Sequence, residues 1–382
     1  MKITFAVPHS GCAYWRARQP AKMIEKLGLA EVRIFEDMEM PSEQVEDWFK
    51  WSDVIVQQSS MGITALASVI KLKDLGHTVV GDYDDLSFSL PPWNPAYKTL
   101  GLKEVKIMSE GLETYIYKDG VGGFDLKANY FRYKSLQDLL KTYSAVTTTT
   151  KFIKDIYSKS ADNVYILPNS IDFGLFKPFP RKPTKQVRIG WTASDSHHAE
   201  VWMVKRIIRS IFNKYGDSVR FVLLGNIDGI PQEFKNDSYE RHDFIGLDTY
   251  PLKLASLNLD VAICPLDDIE FNRAKSALKW SEMSSMRVPC VCTNLEPYHC
   301  VRDGETGMLA KDEDEFFIKL CALIDDSVLR KKIAQNAFDQ NYDDFNLEKN
   351  AILWVEAYEQ ARESCELPLL DREALESVIP RI

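Results

Sequence analysis

Short apolar, β-branched runs alternate with helical periods along this chain, and the alternation occurs twice. ITFAVPH (3–9), EVRIFE (31–36), DVIVQQ (53–58), HTVVGDYDD (77–85), SAVTTTT (144–150) and NVYILPN (163–169) read as strands. PAKMIEKLGL and ITALASVIKLKDLG fit helices between them. That rhythm predicts a parallel, doubly wound α/β sheet. The rhythm then breaks. Residues 174–186, GLFKPFPRKPTKQ, hold three prolines and four lysines or arginines in thirteen residues, which is a linker composition. Beyond them it restarts with VRIGWTA (187–193), VRFVLLG (219–225), HDFIGL (242–247), LDVAICPL (259–266) and VPCVCT (288–293). At 382 residues the chain exceeds what one hydrophobic core usually spans.

Two successive α/β domains are therefore expected, residues 1–170 and 171–357. An insertion is expected at about 96–130, where YIYKDGVGGFDLKANYF has turn signals and little periodicity. The tail, 358–382, is expected to pack back on the first domain. A net charge of −9 argues against a broadly basic nucleic-acid surface. No run of about 18 apolar residues occurs, so no membrane span is expected and the cytoplasm is the expected location. Cys290 and Cys292 alternate as on a buried strand, which is favoured over a metal cluster with His299 and Cys300.

VYILPNSIDFGLFKP resembles the interdomain segment of the retaining GT-B glycosyltransferases related to glycogen synthase and mannosyltransferases, with Ser170 at a usual glycine. The stretch 259–330 is similar throughout: Pro265-Leu266, Lys279 and Glu282, Val288-Pro289, Gly304-x-Thr306-Gly307, then Asp326 to Arg330. GCAYWRARQP and DYDDLSFSLPPWNPAY look like the N-terminal half of a phage and bacterial subset of these enzymes. The resemblance implies two Rossmann-like domains facing a central cleft. It implies sugar transfer from a nucleotide-diphosphate sugar, no cofactor and no metal.

NRAKSALKWSEMSSM reads as one helix opening at the carboxyl end of a strand, where doubly wound folds bind ligands. Lys275, Lys279 and Glu282 are spaced i, i+4, i+7, so they share a face. Lys275, Ser276 and Lys279 near the helix start are expected to hold a diphosphate. The resemblance implies a ribose contact for Glu282. Many relatives carry a second glutamate eight residues earlier, at the position of Ala274 here. Gly190, Thr192, Ser194, Ser196 and His197 form a second anion-site candidate, with plain capping by Ser194 or Ser196 as the alternative. Gly225 and Asn226 end another strand at the cleft, and the resemblance brings Leu247 or Tyr250 to the nucleobase.

On the first domain, Asp82-Tyr83-Asp84 is a DxD, yet it lies away from the diphosphate features and is read as no metal site. Asp84 and Asp85 are the expected catalytic carboxylates, with Lys279, and Asp82 is placed near the acceptor. The loop after the first strand is expected to bring Gly11 and Arg16 to the donor, and Tyr14 and Trp15 to the acceptor.

The expected acceptor is a saccharide or glycolipid hydroxyl. The alternative is a hydroxymethylated base in DNA. It draws on the basic and aromatic residues between Lys98 and Lys159, which are interleaved with acids. A sugar-binding protein without catalysis and a nucleotide-sugar epimerase stay open as rivals. A dinucleotide-dependent dehydrogenase does not, since GxGxxG is missing.

Overall fold

The computed structural model describes residues 1–8, 11–36, 42–109, 111–194, 197–227 and 238–364. The first domain contains β1 (Lys2–Ala6), β2 (Glu31–Phe35), β3 (Val54–Gln58), β4 (Thr78–Tyr83), β5 (Val105–Ser109), β6 (Leu112–Tyr117), β7 (Ala145–Thr148) and β8 (Val164–Ile166). Six of these form one sheet in the order β2-β1-β3-β4-β7-β8, parallel at every step. Helices cover both faces, so Ile3, Phe5, Val54, Ile55, Val79, Val80 and Val146 are fully buried. This is why those strands read as apolar runs and not as alternating patterns.

The second domain repeats the plan. Its strands are β9 (Val187–Thr192), β10 (Val219–Leu224), β11 (Tyr239–His242), β12 (Val261–Cys264), β13 (Cys290–Thr293) and β14 (Met308–Ala310), in the parallel order β11-β10-β9-β12-β13-β14. One strand is displaced from its expected place at 242–247. Its pairing with β10 runs from Phe221↔Tyr239 to Leu224↔His242. β10 ends there, so Phe244 to Leu247 have no strand left to pair with and form a loop toward the cleft. Cys290 and Cys292 are fully buried on β13, and no metal-ligand group with His299 and Cys300 forms among the described residues.

The expected insertion holds an antiparallel hairpin, β5 with β6, whose residues are largely exposed. Tyr97, Tyr117 and Phe124 pack together at its base, with ring centroids 4.9 and 5.3 Å apart along that series. Asp125 then caps the helix Leu126–Thr142 by accepting from the Ala128 N–H at 2.9 Å.

The chain passes between the domains twice, and the two passages are hydrogen-bonded to each other. The Ile171 N–H donates to Phe345 O at 2.7 Å, and the Leu347 N–H donates to Ile171 O at 2.9 Å. Asn350 Nδ2 also donates to Ser170 Oγ at 3.0 Å. The returning helix, Leu347–Glu363, lays Trp354, Tyr358 and Ala361 on the core that contains Ile3, Phe5, Ala17 and Ile24. The return to the first domain thus starts at Leu347, ahead of the expected 358. The alternation of Leu347, Ala351, Trp354, Tyr358 and Ala361 is a buried helical stripe, and nothing in it marks which domain it belongs to. Residues 365–382 of the expected tail lie outside the described residues. No described helix is long and apolar enough to cross a membrane.

Trp354 is 1 % exposed and lies where the returning helix meets the first domain. Trp354→Ala is expected to lower stability by about 3–5 kcal/mol, measured by urea unfolding followed at several probes. A loss below 1 kcal/mol would show that the returning helix is not part of that core.

Candidate active site

The carboxyl ends of both sheets meet along the segment 266–282. The expected single helix is broken there. A short helix, Glu270–Arg273, is followed by an open turn, and a second helix runs Leu278–Ser285. Lys275 and Ser276 lie in the turn. They share no helical face with Lys279 and Glu282, so the i, i+4, i+7 expectation fails for Lys275. First-domain groups hold this segment in place. Thr150 Oγ1 donates to Ala274 O at 3.2 Å, Ser89 Oγ donates to Glu270 Oε2 at 2.7 Å, and Asn169 Nδ2 donates to Ser276 Oγ at 3.1 Å. Ala274 itself is buried within the first domain's core.

On the second-domain wall, Lys279 Nζ donates to Thr192 Oγ1 at 3.0 Å. This anchors the lysine at the end of β9. Glu282 is only 5 % exposed and accepts from Tyr250 Oη at 2.9 Å. Burial pushes its carboxyl above the ordinary range, while Lys279 and the Tyr250 hydroxyl oppose that rise. His197 is buried, with Nδ1 3.7 Å from Glu200 Oε2. Burial pushes its pKa down to about 4, against the pull of Glu200 and assisted by Lys279 and Lys275, so the ring is neutral at pH 7. The other oxygen of Glu200 accepts from the Asp267 N–H at 3.0 Å and from Asn272 Nδ2 at 2.8 Å.

On the first-domain wall, Cys12, Asp84 and Asp85 have their Sγ and carboxylate oxygens within 4.8 Å of one another, all half-buried. Burial raises both carboxyls. For Asp84 a hydrogen bond from Cys12 opposes the rise; for Asp85 Lys275 does, leaving it at about 7. Lys275 belongs to the other domain, so its charge acts across the cleft. Gly11 also faces the second domain: a Cβ there would lie 3.9 Å from Leu247 Cδ1. The structure thus brings together Gly11, Asp84, Asp85, Leu247, Lys275 and Ser276 at the meeting of the walls. Thr192, His197, Lys279 and Glu282 lie on the second wall.

Other expected site residues have different work. Arg16 is fully paired: Nε and Nη2 donate to the two Asp82 oxygens at 3.0 and 2.7 Å, and Nη1 to Leu167 O and to Asn169 Oδ1. Thr147 Oγ1 donates to Asp82 as well, at 2.7 Å. Neither Arg16 nor Asp82 has a charge left to offer a donor or an acceptor. Tyr14 and Trp15 are buried between the domains, with Trp15 5.6 Å from Phe176 and Phe176 6.3 Å from Tyr250. They are packing residues and not a sugar platform. At Gly190 the space of a side chain is filled by Leu259, 2.3 Å from a Cβ position, so this glycine serves core packing and not ligand approach. Gly225 has φ +129° and sits against Ala193 O, where a Cβ would come within 1.9 Å, so it joins two cleft loops. Asn226 Oδ1 accepts from the Phe244 N–H at 3.1 Å and holds the displaced loop. Ser194 is exposed and its carbonyl accepts from the His197 N–H at 2.9 Å. Ser196 lies outside the described residues.

Sequence reading missed Cys12, Asn169 and Glu200, and the bond from Tyr250 to Glu282. Each is a polar residue made significant by a partner from a distant strand or helix. A run of neighbours gives no signal of that kind.

Residues 187–326 match the family model described as glycosyl transferases group 1. No curated protein sequence matches the chain. Among solved structures, it is similar to sucrose-phosphate synthase from Thermosynechococcus elongatus, at 12 % identity over 94 % of this chain and 98 % of that one, TM-score 0.65. A glycosyltransferase from Rickettsia africae is similar at 13 % identity over 94 % and 98 %, TM-score 0.62. HepE from Anabaena in complex with UDP-glucose is similar at 13 % identity over 94 % and 99 %, TM-score 0.57. The fold is GT-B. The second domain, residues 187–326, is the part of the chain that matches the glycosyl transferases group 1 model, and the similarity to solved structures spans both domains.

The raised Asp85 carboxyl gives a stability test. Its proton is held more tightly in the folded chain than in the unfolded one. The stability it lends is complete below about pH 4 and is lost as pH rises to about 7. Asp85→Asn is therefore expected to gain stability relative to the parent across that window and to hold the gain above it. Urea unfolding at pH 4, 5.5 and 8 measures this, and an equal difference at all three would remove Asp85 from its buried setting.

Proposed function

We propose that the protein transfers a sugar, with retention at the anomeric carbon, from a nucleotide-diphosphate sugar to a saccharide or glycolipid hydroxyl. The observation that carries this reading is the pairing of walls. Lys275, Ser276 and Lys279 lie on one side, and Asp84 and Asp85 on the other. Cations opposite carboxylates suit a reaction in which a diphosphate leaves with growing negative charge and the anomeric carbon gains positive charge. The C1–O bond to the diphosphate breaks, and the acceptor oxygen forms the new bond to C1. The acceptor proton passes to the departing phosphate oxygen, as the family resemblance implies. Lys275 and Lys279 stabilise that leaving group. Asp85 orients the acceptor hydroxyl, and Glu282, fixed by Tyr250, holds the ribose.

HepE is described in complex with UDP-glucose, which supports a uridine nucleotide as the first donor to try. The reading is metal-independent, since Lys275 already places positive charge beside Asp85. It places the reaction in the cytoplasm, and the N-terminal resemblance supports the phage and bacterial subset. The DNA alternative is weakened by the hairpin, where Lys106 is ion-paired with Glu113 at 2.8 Å and is not free for phosphate.

A panel of nucleotide sugars and saccharide acceptors in EDTA, read by mass spectrometry and by NMR of the new anomeric centre, tests the proposal. Transfer with an unchanged anomer supports it. Transfer only after Mg²⁺ or Mn²⁺ is added, or label appearing only on hydroxymethylated duplex, overturns the corresponding part. Glu282→Ala is expected to weaken nucleoside diphosphate binding by about 1.5–3 kcal/mol, seen in calorimetry. Lys279→Ala is expected to lower kcat by more than about tenfold and leave nucleoside affinity nearly unchanged, because the charge it opposes grows only as the diphosphate departs. A kcat within about twofold of the parent would make Lys279 an ordinary tether for Thr192.

A further inference from the structure

We infer that Asn169 is a positioning residue that fixes the proton of the Ser276 hydroxyl so that it is available to an anion in the cleft. The inference rests on the reading of the 274–277 turn as a diphosphate site.

Hydrogen-bond polarity is set along one line of side chains from Arg16 to Ser276. Arg16 can only donate, because a guanidinium carries five N–H groups and no acceptor. Its Nη1 lies 3.2 Å from the Asn169 side chain, so the atom facing it must be the amide oxygen. An amide orientation is otherwise ambiguous, and here the neighbouring cation decides it. The Asn169 nitrogen is thereby turned to Ser276, 3.1 Å away. That nitrogen can only donate, so Ser276 Oγ receives a proton and must send its own elsewhere. No described residue accepts it. Asn169 is 8 % exposed and stands at the seam of the two domains. Ser276 is in the open turn beside Lys275, ahead of the helix Leu278–Ser285. A hydroxyl held in this way presents a donor to a phosphate oxygen without losing rotational freedom at the moment of binding.

Donation therefore runs from Arg16 both to Asp82 and to Asn169, and from Asn169 on to Ser276, which leaves the Ser276 hydroxyl a donor toward the cleft. The ion pair that takes Arg16 out of direct contact with a ligand acts on the ligand through Asn169. It selects for a partner that accepts a hydrogen bond at this point, as a phosphate oxygen does.

The test compares nucleoside diphosphates with their nucleosides. UDP, GDP and ADP, each against uridine, guanosine or adenosine, are titrated by calorimetry into the parent, Asn169→Ala, Ser276→Ala and the double variant. Asn169→Ala and Ser276→Ala are each expected to weaken the tightest diphosphate by about fivefold and its nucleoside by less than about twofold. In the Ser276→Ala protein the Asn169→Ala change is expected to be nearly silent. Asn169→Asp keeps the shape and supplies a second arm that does not depend on tolerance of Ala. It accepts where asparagine donates, turns the Ser276 proton away from the cleft, and weakens the diphosphate more than Asn169→Ala does. Equal loss of nucleoside and diphosphate would show a merely structural Asn169 and overturn the inference. So would an undiminished Asn169 effect in the Ser276→Ala background. A parent protein that binds none of the three diphosphates at millimolar concentration overturns the donor reading itself, and the inference with it, by a separate observation.

Discussion

The ion pair of Arg16 and Asp82 is the constraint on which the rest of the structure depends. Both side chains are essentially without solvent. Two charges in that setting are tolerable only if their remaining hydrogen-bonding capacity is met. The pair joins the helical segment after β1 to β4, and its surroundings come from three further elements: β7 supplies the Thr147 hydroxyl, the interdomain passage Leu167 O and Asn169, and the returning helix the face of Trp354, 4.6 Å from the guanidinium carbon. Removing either charge strands the other. The pair therefore fixes where the first-domain sheet ends, where the chain leaves for the second domain and where it comes back.

What this arrangement supports is a cleft with unlike walls. The carboxyl ends of the first sheet present Asp84 and Asp85, held up in pKa by burial. The second domain answers with Lys275 from a turn and Lys279 from a helix, the latter tied to Thr192. Three side-chain bonds from the first domain to the 270–276 segment keep the two walls in register. Electrostatic preorganisation of this type does its work before a ligand arrives, because the dipoles need not reorganise as charge develops.

Much of the fold was legible in the sequence, and the reason is physical. A strand buried on both faces must be apolar throughout, so all six strands of the first sheet and four of the second lie close to their expected places, while β14 has no counterpart among the expected runs. HDFIGL misled because apolar character alone cannot say whether a neighbouring strand extends far enough to pair with it. The site was legible in part. Lys279 and Glu282 stand out in sequence by their shared helix face, and Asp84 and Asp85 by their place at a strand end; the structure puts the first two on the second-domain wall and the other two on the first-domain wall. Arg16 and Asp82, expected at the donor and the acceptor, instead pair with each other, and Tyr14 and Trp15 pack in a core cluster with Phe176 and Tyr250. A charge at a strand end looks the same in sequence whether it meets a ligand or a partner some 65 positions away, such as Thr147 from Asp82. The break between Arg273 and Leu278 was hidden because NRAKSAL contains no proline or glycine. At the break, Thr150 and Asn169 from the other domain hydrogen-bond to Ala274 O and to Ser276 Oγ.

The return of Leu347–Glu363 to the first domain has a consequence for how the molecule is made. Ile3, Phe5 and Ile24 find their cover in residues 351–361, which leave the ribosome only after the whole second domain has been synthesised. The second domain can complete its own core during translation. The first must wait with an apolar face uncovered, although it is the earlier half of the gene product. Vectorial synthesis thus inverts the order of completion, and the interval between the two is a window in which a nascent chain of this architecture needs shielding.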